Sequence, residues 1–297
     1  VNYSQILSLP ARPTPYAVLG SPVAHSLSPI MQQAAFDELG IEARYFRIDV
    51  PEEKLAVAIG HLRALPFGGW NCTVPLKVRM FEACDRRAES AECFGAVNTV
   101  VNENGTLVGH NTDGTGWSRA LREAFGQGPG DLRLVVLGAG GAGRAVVTQA
   151  LLEGCPQVVL ANRHGGRARA LADELAGGPL RDFAGDRLRV VAWDDLPAAL
   201  AGTDLVVNAT SAGLGPGAPA VLPASLLSER LLVFDTLYGP GCAAFRAEAE
   251  SAGAQWADGL GMLLHQGAAA FTLWTGQPAP LETMREALQS AFSASRR

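Results

Sequence analysis

Along the chain, short apolar runs alternate with longer stretches in which apolar positions recur every three or four residues. The runs read as buried strands and the stretches as amphipathic helices. Their regular alternation predicts an α/β fold with a mainly parallel sheet. Residues 16–20 (YAVLG) form the first such strand. Ser28 and Pro29 read as the N-cap and first position of a helix that runs to Leu39 and stops at Gly40. Residues 44–48 predict a strand, 52–65 a helix and 70–74 a third strand, with Pro75 opening another helix. Residues 96–101 and 106–110 are two strands flanking Asn102-Glu-Asn-Gly105, a hairpin signal. The first fifteen residues are expected to be an arm or a disordered lead.

A helix over 113–125 closes this first set, and GQGPG (126–130) breaks the pattern. A second set of strands follows at 132–137, 158–161, 188–192, 205–209 and 231–235. Residues 213–223, rich in glycine and proline, read as a loop. From Gly259 onward the pattern is helical, and these helices are expected to return to the first domain. The chain's 297 residues suit two domains. The expected division is 1–113 plus 259–297 against 114–258.

Composition narrows the function. A net charge of −5 argues against a nucleic-acid or anionic-membrane partner, either of which needs a basic face. No apolar run is long enough to span a bilayer, and the first residues lack the pattern of a signal peptide. Five cysteines without a C-x-x-C pair read as reduced thiols in a soluble, cytoplasmic protein. The five histidines show no metal spacing. Of 24 basic residues only Lys54 and Lys77 are lysines, so each lysine invites the question of why it is not arginine.

Gly138-Ala139-Gly140-Gly141-Ala142-Gly143 follows a predicted strand and opens a predicted helix. A glycine turn so placed brings backbone N–H groups and the positive end of a helix to a pyrophosphate. An NAD site usually has an acid about 20 residues further on to accept bonds from the ribose 2′-OH. Here the strand ends in Asn162, Arg163 and His164, with Arg167 close behind, and no acid between 158 and 169. Arginines at that position suit a 2′-phosphate, so NADP is the expected cofactor.

Polar residues concentrate in Gly20-SPVAHSLSP-Ile30, Asn71-CTVPLK-Val78, Gly95-AVNT-Val100 and Gly109-HNTDG-Thr115. With the glycine turn, Asn208-ATSAG-Leu214, Asp235-TLYGP-Gly241 and Asp258-GLGMLLHQGAAAFTLW-Thr275, the chain resembles the shikimate dehydrogenase family from Tyr16 to about Gly276. The resemblance implies an N-terminal α/β substrate domain, a Rossmann-type NADP-binding domain and C-terminal helices packed on the first domain. It implies interconversion of shikimate and its C3 ketone by hydride transfer, a reaction that needs a positioned acid/base. Lys77 matches the family's catalytic lysine, and a lysine can lose its proton where an arginine cannot. Asp113 matches its carboxylate partner, and it also suits the N-terminal end of a helix. Whether Lys77 alone or the Lys77–Asp113 pair is the base stays open.

Ser26 and Ser28 match the substrate-carboxylate pair, although Ser28 would equally serve as a helix cap. Serine rather than threonine at the second position tilts toward shikimate over quinate. Thr73, Asn98 and Gln266 match residues that bond ring hydroxyls, and Tyr238 one near the carboxylate. Thr210, Thr236, Gly259 and Met262 join the glycine turn and residues 162–164 and 167 as implied cofactor contacts. His164, Thr236, Ala243 and Cys72 depart from the family's usual threonine, methionine, threonine and valine. Two alternatives remain: a broader shikimate/quinate enzyme that also uses NAD, and a catalytically silent relative, against which Lys77 and Asp113 stand. The partners implied are a small-molecule substrate, no nucleic acid and no membrane, with a homodimer as the candidate assembly.

Overall fold

In a computed structural model of the protein, residues 1–212 and 217–294 are described, so part of the predicted 213–223 loop lies outside them. The chain divides into two units, Val1–Thr112 with Leu264–Arg297 and Asp113–Leu263.

The first unit opens with a 3-10 turn, Tyr3–Ser8, and then runs β1 (Thr14–Gly20), α1 (Ser28–Glu38), β2 (Ala43–Asp49), α2 (Leu55–Arg63), β3 (Gly69–Cys72), α3 (Lys77–Ala83), β4 (Arg86–Arg87), α4 (Glu89–Phe94), β5 (Thr99–Glu103) and β6 (Thr106–His110). Its sheet has the order β2-β1-β3-β5-β6-β4. β1 lies parallel to β2 and β3, whereas β5 is antiparallel to both β3 and β6. The antiparallel pair is the expected hairpin. Glu103 faces Thr106, and the loop residues Asn104 and Gly105 both take positive φ, as a type I′ turn requires. α3 begins at Lys77, two residues after the Pro75 expected to open it.

The residues before Tyr16 are neither a free arm nor a disordered lead. Asn2 caps the 3-10 turn reciprocally with Gln5, and it bridges to Asp49 at the end of β2. Ile6 is fully buried in a core with Ala17 and Leu19 of β1, Ile48 of β2, and Ala58 and Leu62 of α2. The pattern hid this because one apolar residue in a short 3-10 turn has no period to detect.

The second unit runs α5 (Asp113–Phe125), β7 (Arg133–Leu137), α6 (Gly141–Leu152), β8 (Gln157–Ala161), α7 (Gly165–Gly177), α8 (Arg181–Ala184), β9 (Leu188–Val191), α9 (Leu196–Leu200), β10 (Leu205–Asn208), β11 (Leu232–Asp235), α10 (Ala243–Ser251) and β12 (Gln255–Ala257). Every pairing is parallel, in the order β12-β11-β10-β7-β8-β9. Counted within the unit and read from the other edge, that is 3-2-1-4-5-6, the doubly wound dinucleotide-binding order, with its switch point between β7 and β10. Strand alternation sends Leu134 and Val136 into one core and Val135 and Leu137 into another, so both faces of the sheet are covered.

α11 (Gly259–Thr275) starts in the second unit and continues in the first, where α12 (Leu281–Ala294) follows. The division at 263 rather than 259 has a packing cause: Met262 belongs to the second unit's core, and Gly259 N–H donates to Leu237 O (2.9 Å). In the first unit Phe271 and Trp274 of α11 meet Phe36 of α1, Tyr16 of β1 and Tyr45 of β2 through tilted ring contacts of 5.1–6.0 Å.

Ile6→Ala is expected to lower stability by about 2–5 kcal/mol, the usual cost of truncating a buried isoleucine. Urea denaturation of the variant checks it, and a loss below about 1 kcal/mol would mean that the N-terminal turn adds little to the core.

Candidate active site

In the first unit Ser26, Ser28, Thr73 and Lys77 follow the carboxyl ends of β1 and β3, Asn98 immediately precedes β5, which runs antiparallel to β3, and Gln266 lies within α11. After β1, the loop carrying Ser26 is held by Arg47, whose Nε donates to Ser26 O (2.8 Å). Ser28 is not an N-cap: it is the first residue of α1, nearly buried, and the residue before it makes no side-chain cap. Ser26 takes that work instead, accepting from Ser28 N–H on its hydroxyl oxygen (3.3 Å). One local bond therefore fixes the two serines relative to each other.

Thr73 continues past β3, its N–H bonded to Leu19 O (2.8 Å), while Ser21 N–H reaches Val74 O (3.1 Å). Those bonds seat Thr73 beside the start of the serine loop. Lys77 opens α3, half-buried, and its carbonyl accepts from Val97 N–H (2.9 Å), next to Asn98. Its charge is felt by the buried Cys72 thiol: burial pushes that thiol well up, Cys84 adds to the rise, and Lys77 opposes it.

Asn98 is the centre of a buried polar network. Its Oδ1 accepts from Thr112 N–H (2.8 Å) and the Thr99 hydroxyl (3.0 Å), while its Nδ2 donates to Thr112 Oγ1 (2.9 Å) and Gln266 Oε1 (3.4 Å). Behind it, Asn71 Nδ2 donates to Thr99 Oγ1 (3.0 Å) and Tyr45 OH donates to Asn71 Oδ1 (2.7 Å). α1 and α11 are joined by Gln32 Nε2 donating to Gly267 O (2.9 Å), which ties the Ser28 helix to the Gln266 helix. The supporting residues Tyr45, Asn71, Thr99 and Thr112 were not singled out from sequence. Three of them sit inside the quoted polar segments, and polar side chains clustered at strand ends were the available signal.

In the second unit the glycine turn follows β7. Gly138 has φ +109°, and a Cβ there would meet Ala209 O at 2.6 Å, so the turn lies directly against the loop after β10. A Cβ on Gly143 would collide with Gly138 O, which permits only glycine where α6 meets the turn. Gly140 and Gly141 differ: a Cβ at either meets nothing, and Gly140 caps α6 without a side-chain bond. Open space over a helix N-terminus fits a pyrophosphate.

Asn162 Oδ1 accepts from Ala139 N–H (3.2 Å) and its Nδ2 donates to His164 O (3.0 Å), so this side chain laces the glycine turn to the loop after β8. Arg163, His164 and Arg167 are exposed, and neither arginine has a carboxylate partner among the described residues. Two uncommitted guanidinium groups suit a ribose phosphate. Thr210 accepts from Ala212 N–H (3.0 Å) and donates to Asn208 Oδ1 (2.7 Å). Thr236 O lies against Gly259, with no room for a Cβ between them. Tyr238 is half-buried, and burial raises its phenol pKa. Asp113, nearly buried, is the first residue of α5.

Residues 18–100 match the family model of the shikimate dehydrogenase substrate binding domain, residues 122–214 that of shikimate / quinate 5-dehydrogenase, and residues 259–289 that of the shikimate 5'-dehydrogenase C-terminal domain. A shikimate dehydrogenase (NADP(+)) of Methanopyrus kandleri is 42% identical over 286 residues, covering 95% of this chain and 97% of that protein. The chain belongs to the shikimate dehydrogenase family. A shikimate dehydrogenase (NADP(+)) of Moorella thermoacetica is 44% identical over 280 residues, 94% of each chain. The crystal structure of Thermus thermophilus shikimate 5-dehydrogenase in complex with NADP(H) and shikimate superposes with a TM-score of 0.82 at 40% identity, over 94% of this chain and 99% of that one.

Within this family member, one buried carboxyl escaped the sequence reading. Asp235 closes β11 with no exposed surface, facing its ladder partner Asn208 at the end of β10. Its Oδ1 accepts from Leu237 N–H (2.9 Å) and Asn208 Nδ2 (3.0 Å), while Oδ2 has no partner among the described residues. Burial pushes its pKa up to about 7, with Asp258 contributing and the two donors opposing. It looked like an ordinary strand-end residue, and no sequence pattern announces a buried acid.

The folded state thus keeps the Asp235 proton to about pH 7, whereas an unfolded chain releases it near pH 4. Stability from this group is intact below about pH 4 and is lost as pH rises to 7. Asp235→Asn, which keeps the Oδ1 acceptor and cannot ionise, should flatten that decline, whose limit is about 1.4 kcal/mol per pH unit. Denaturation midpoints from pH 4.5 to 8 test it, and parallel slopes for the two proteins would refute it.

Proposed function

We propose that this chain interconverts shikimate and 3-dehydroshikimate with NADP as its hydride partner. The observation that carries the reading is the placement of Ser26, Ser28, Thr73, Lys77 and Asn98 around the ends of β1, β3 and β5, with Gln266 of α11 bonded to Asn98, at positions matching a family whose relatives bear that activity in their names. The cofactor supplies hydride acceptance at its nicotinamide and hydride donation in the reverse direction.

The chain's own residues do the rest. Ser26 and Ser28 donate hydroxyl hydrogen bonds to the substrate carboxylate. Asn98 and Gln266 take the ring hydroxyls with Thr73, and a buried polar set of this kind penalises an analogue lacking those hydroxyls. Lys77 Nζ takes the proton from the C3 hydroxyl oxygen as the ketone forms and returns it in the reverse reaction. Asp113 matches the carboxylate that the family pairs with this lysine. Gly138–Gly143 and the α6 N-terminus hold the pyrophosphate, with Thr210, Thr236, Gly259 and Met262 toward the nicotinamide side. Arg163 and Arg167 hold the 2′-phosphate, and Asn162 acts by fixing the loop that presents Arg163. We place the enzyme in the cytoplasm, with a homodimer as the assembly to look for.

A second reading, a broader shikimate/quinate enzyme that also accepts NAD, is favoured by two local features. His164 precedes α7 without making a cap bond, and Thr236 replaces the methionine usual in the family.

Initial rates with shikimate and quinate, each with NADP+ and NAD+, separate the readings. Turnover confined to shikimate with NADP+ is expected; comparable rates with quinate or NAD+ would favour the broader enzyme, and none at all would sink both. Lys77→Ala should lower kcat by about 10²–10⁴-fold, the usual worth of a positioned acid/base, with a much smaller change in the shikimate KM. A kcat within tenfold of the parent's would remove Lys77 from the proton transfer.

A further inference from the structure

Arg163 presents a problem that its neighbours solve in an unexpected way. Asn162 fixes the backbone on either side of it, yet the arginine side chain itself is long and exposed. A guanidinium free to wander loses conformational freedom each time it engages a phosphate. The common remedy is an ion pair, and elsewhere in this chain arginines take it: Arg133 with Asp204 and Arg144 with Glu174 are two cases. Asp194 and Asp195 belong to the 3-10 turn that follows β9, the strand paired to β8, yet neither forms an ion pair with Arg163. Its Cζ lies instead over the ring of Trp193, 5.8 Å from the centroid, within the range of a cation–π contact.

The difference matters chemically. A carboxylate would occupy the N–H donors that a phosphate needs and would cancel part of the charge that attracts it. A ring face restrains the guanidinium plane while leaving its donors unused. Trp193 can serve as such a plate because it is itself anchored: half-buried, it packs against the core that Leu196 and Leu200 of α9 share with Phe245 of α10.

We propose that Trp193 is a positioning residue that holds Arg163 ready for the 2′-phosphate, and so contributes to the preference for NADP over NAD. The inference rests on the phosphate-binding reading of Arg163 given above. It concerns discrimination alone, because a cofactor without the 2′-phosphate gains nothing from a poised guanidinium.

Calorimetric titration with two probes that differ only in that phosphate, adenosine 2′,5′-bisphosphate and AMP, tests it. The full-length protein should bind the bisphosphate more tightly than AMP. Trp193→Leu should weaken the bisphosphate about fivefold, the size of an exposed cation–π contact, and leave AMP within twofold. Trp193→Phe, which keeps a ring face, should stay within twofold for both. Trp193→Gln serves in place of the leucine variant if that one does not fold. In steady state the same loss should appear in the NADP KM with kcat unchanged. Equal weakening of both probes, or a leucine variant that discriminates as well as the parent, would overturn the role of Trp193 while leaving Arg163 in place. A parent protein that binds the two probes alike would instead overturn the Arg163 reading itself.

Discussion

Where a strand ends inside a protein, its last polar groups lose their ladder partners and have no water to replace them, so each must find a bond elsewhere. Both units are organised by the way they meet that demand. In the first, Asn98 carries the bonding that β5 has not yet begun: its carbonyl accepts from Cys72 N–H and its side chain ties Thr112, Thr99 and Gln266 together. In the second, Asn208 donates to Asp235 across β10 and β11 and both side chains hold the loops that follow, although Asp235 Oδ2 has no partner among the described residues. Of the candidate site residues, Asn98 and Gln266 belong directly to the first of these repairs.

The two units use rigidity differently. Around Asn98 nearly every polar atom with a role in the network is buried and committed, so the network holds its side chains in one fixed arrangement. Around the glycine turn the backbone is equally fixed, by Asn162 on one side and Ala209 on the other, but the groups offered outward are open glycines and projecting arginines. A multiply charged ligand can be recognised by charge and by helix-terminal N–H groups, which tolerate looser placement than a hydroxyl network does.

Much of this was legible in the sequence, for reasons that also explain what was not. Long periodic segments announced themselves: α5 and β6 have the bounds their patterns suggested, and the Asn-Gly turn has the geometry its residues require. The strands that went unseen, β4 and β12, are two and three residues long, too short to display a period. Ser28 was read as a cap because serine before proline so often is one. The structure moves the capping bond to Ser26, a shift of two residues that no propensity distinguishes. Lys77 stood out through the rarity of its residue type, and Arg163 through the absence of an acid. Asp235 and the Tyr45–Asn71–Thr99 relay stayed hidden because their importance comes from burial and pairing across strands, which a linear reading does not contain.

The preference for arginine has a practical corollary. An amine-directed reagent applied to this chain meets only two lysine side chains, Lys54 at the end of a short 3-10 turn and Lys77 at the start of α3. Both are half-buried, so neither is favoured by exposure alone. The chain therefore carries its own internal reference: the rate of acylation at one lysine can be read against the other in a single digest, and any ligand that engages the α3 lysine changes their ratio without a label having been introduced.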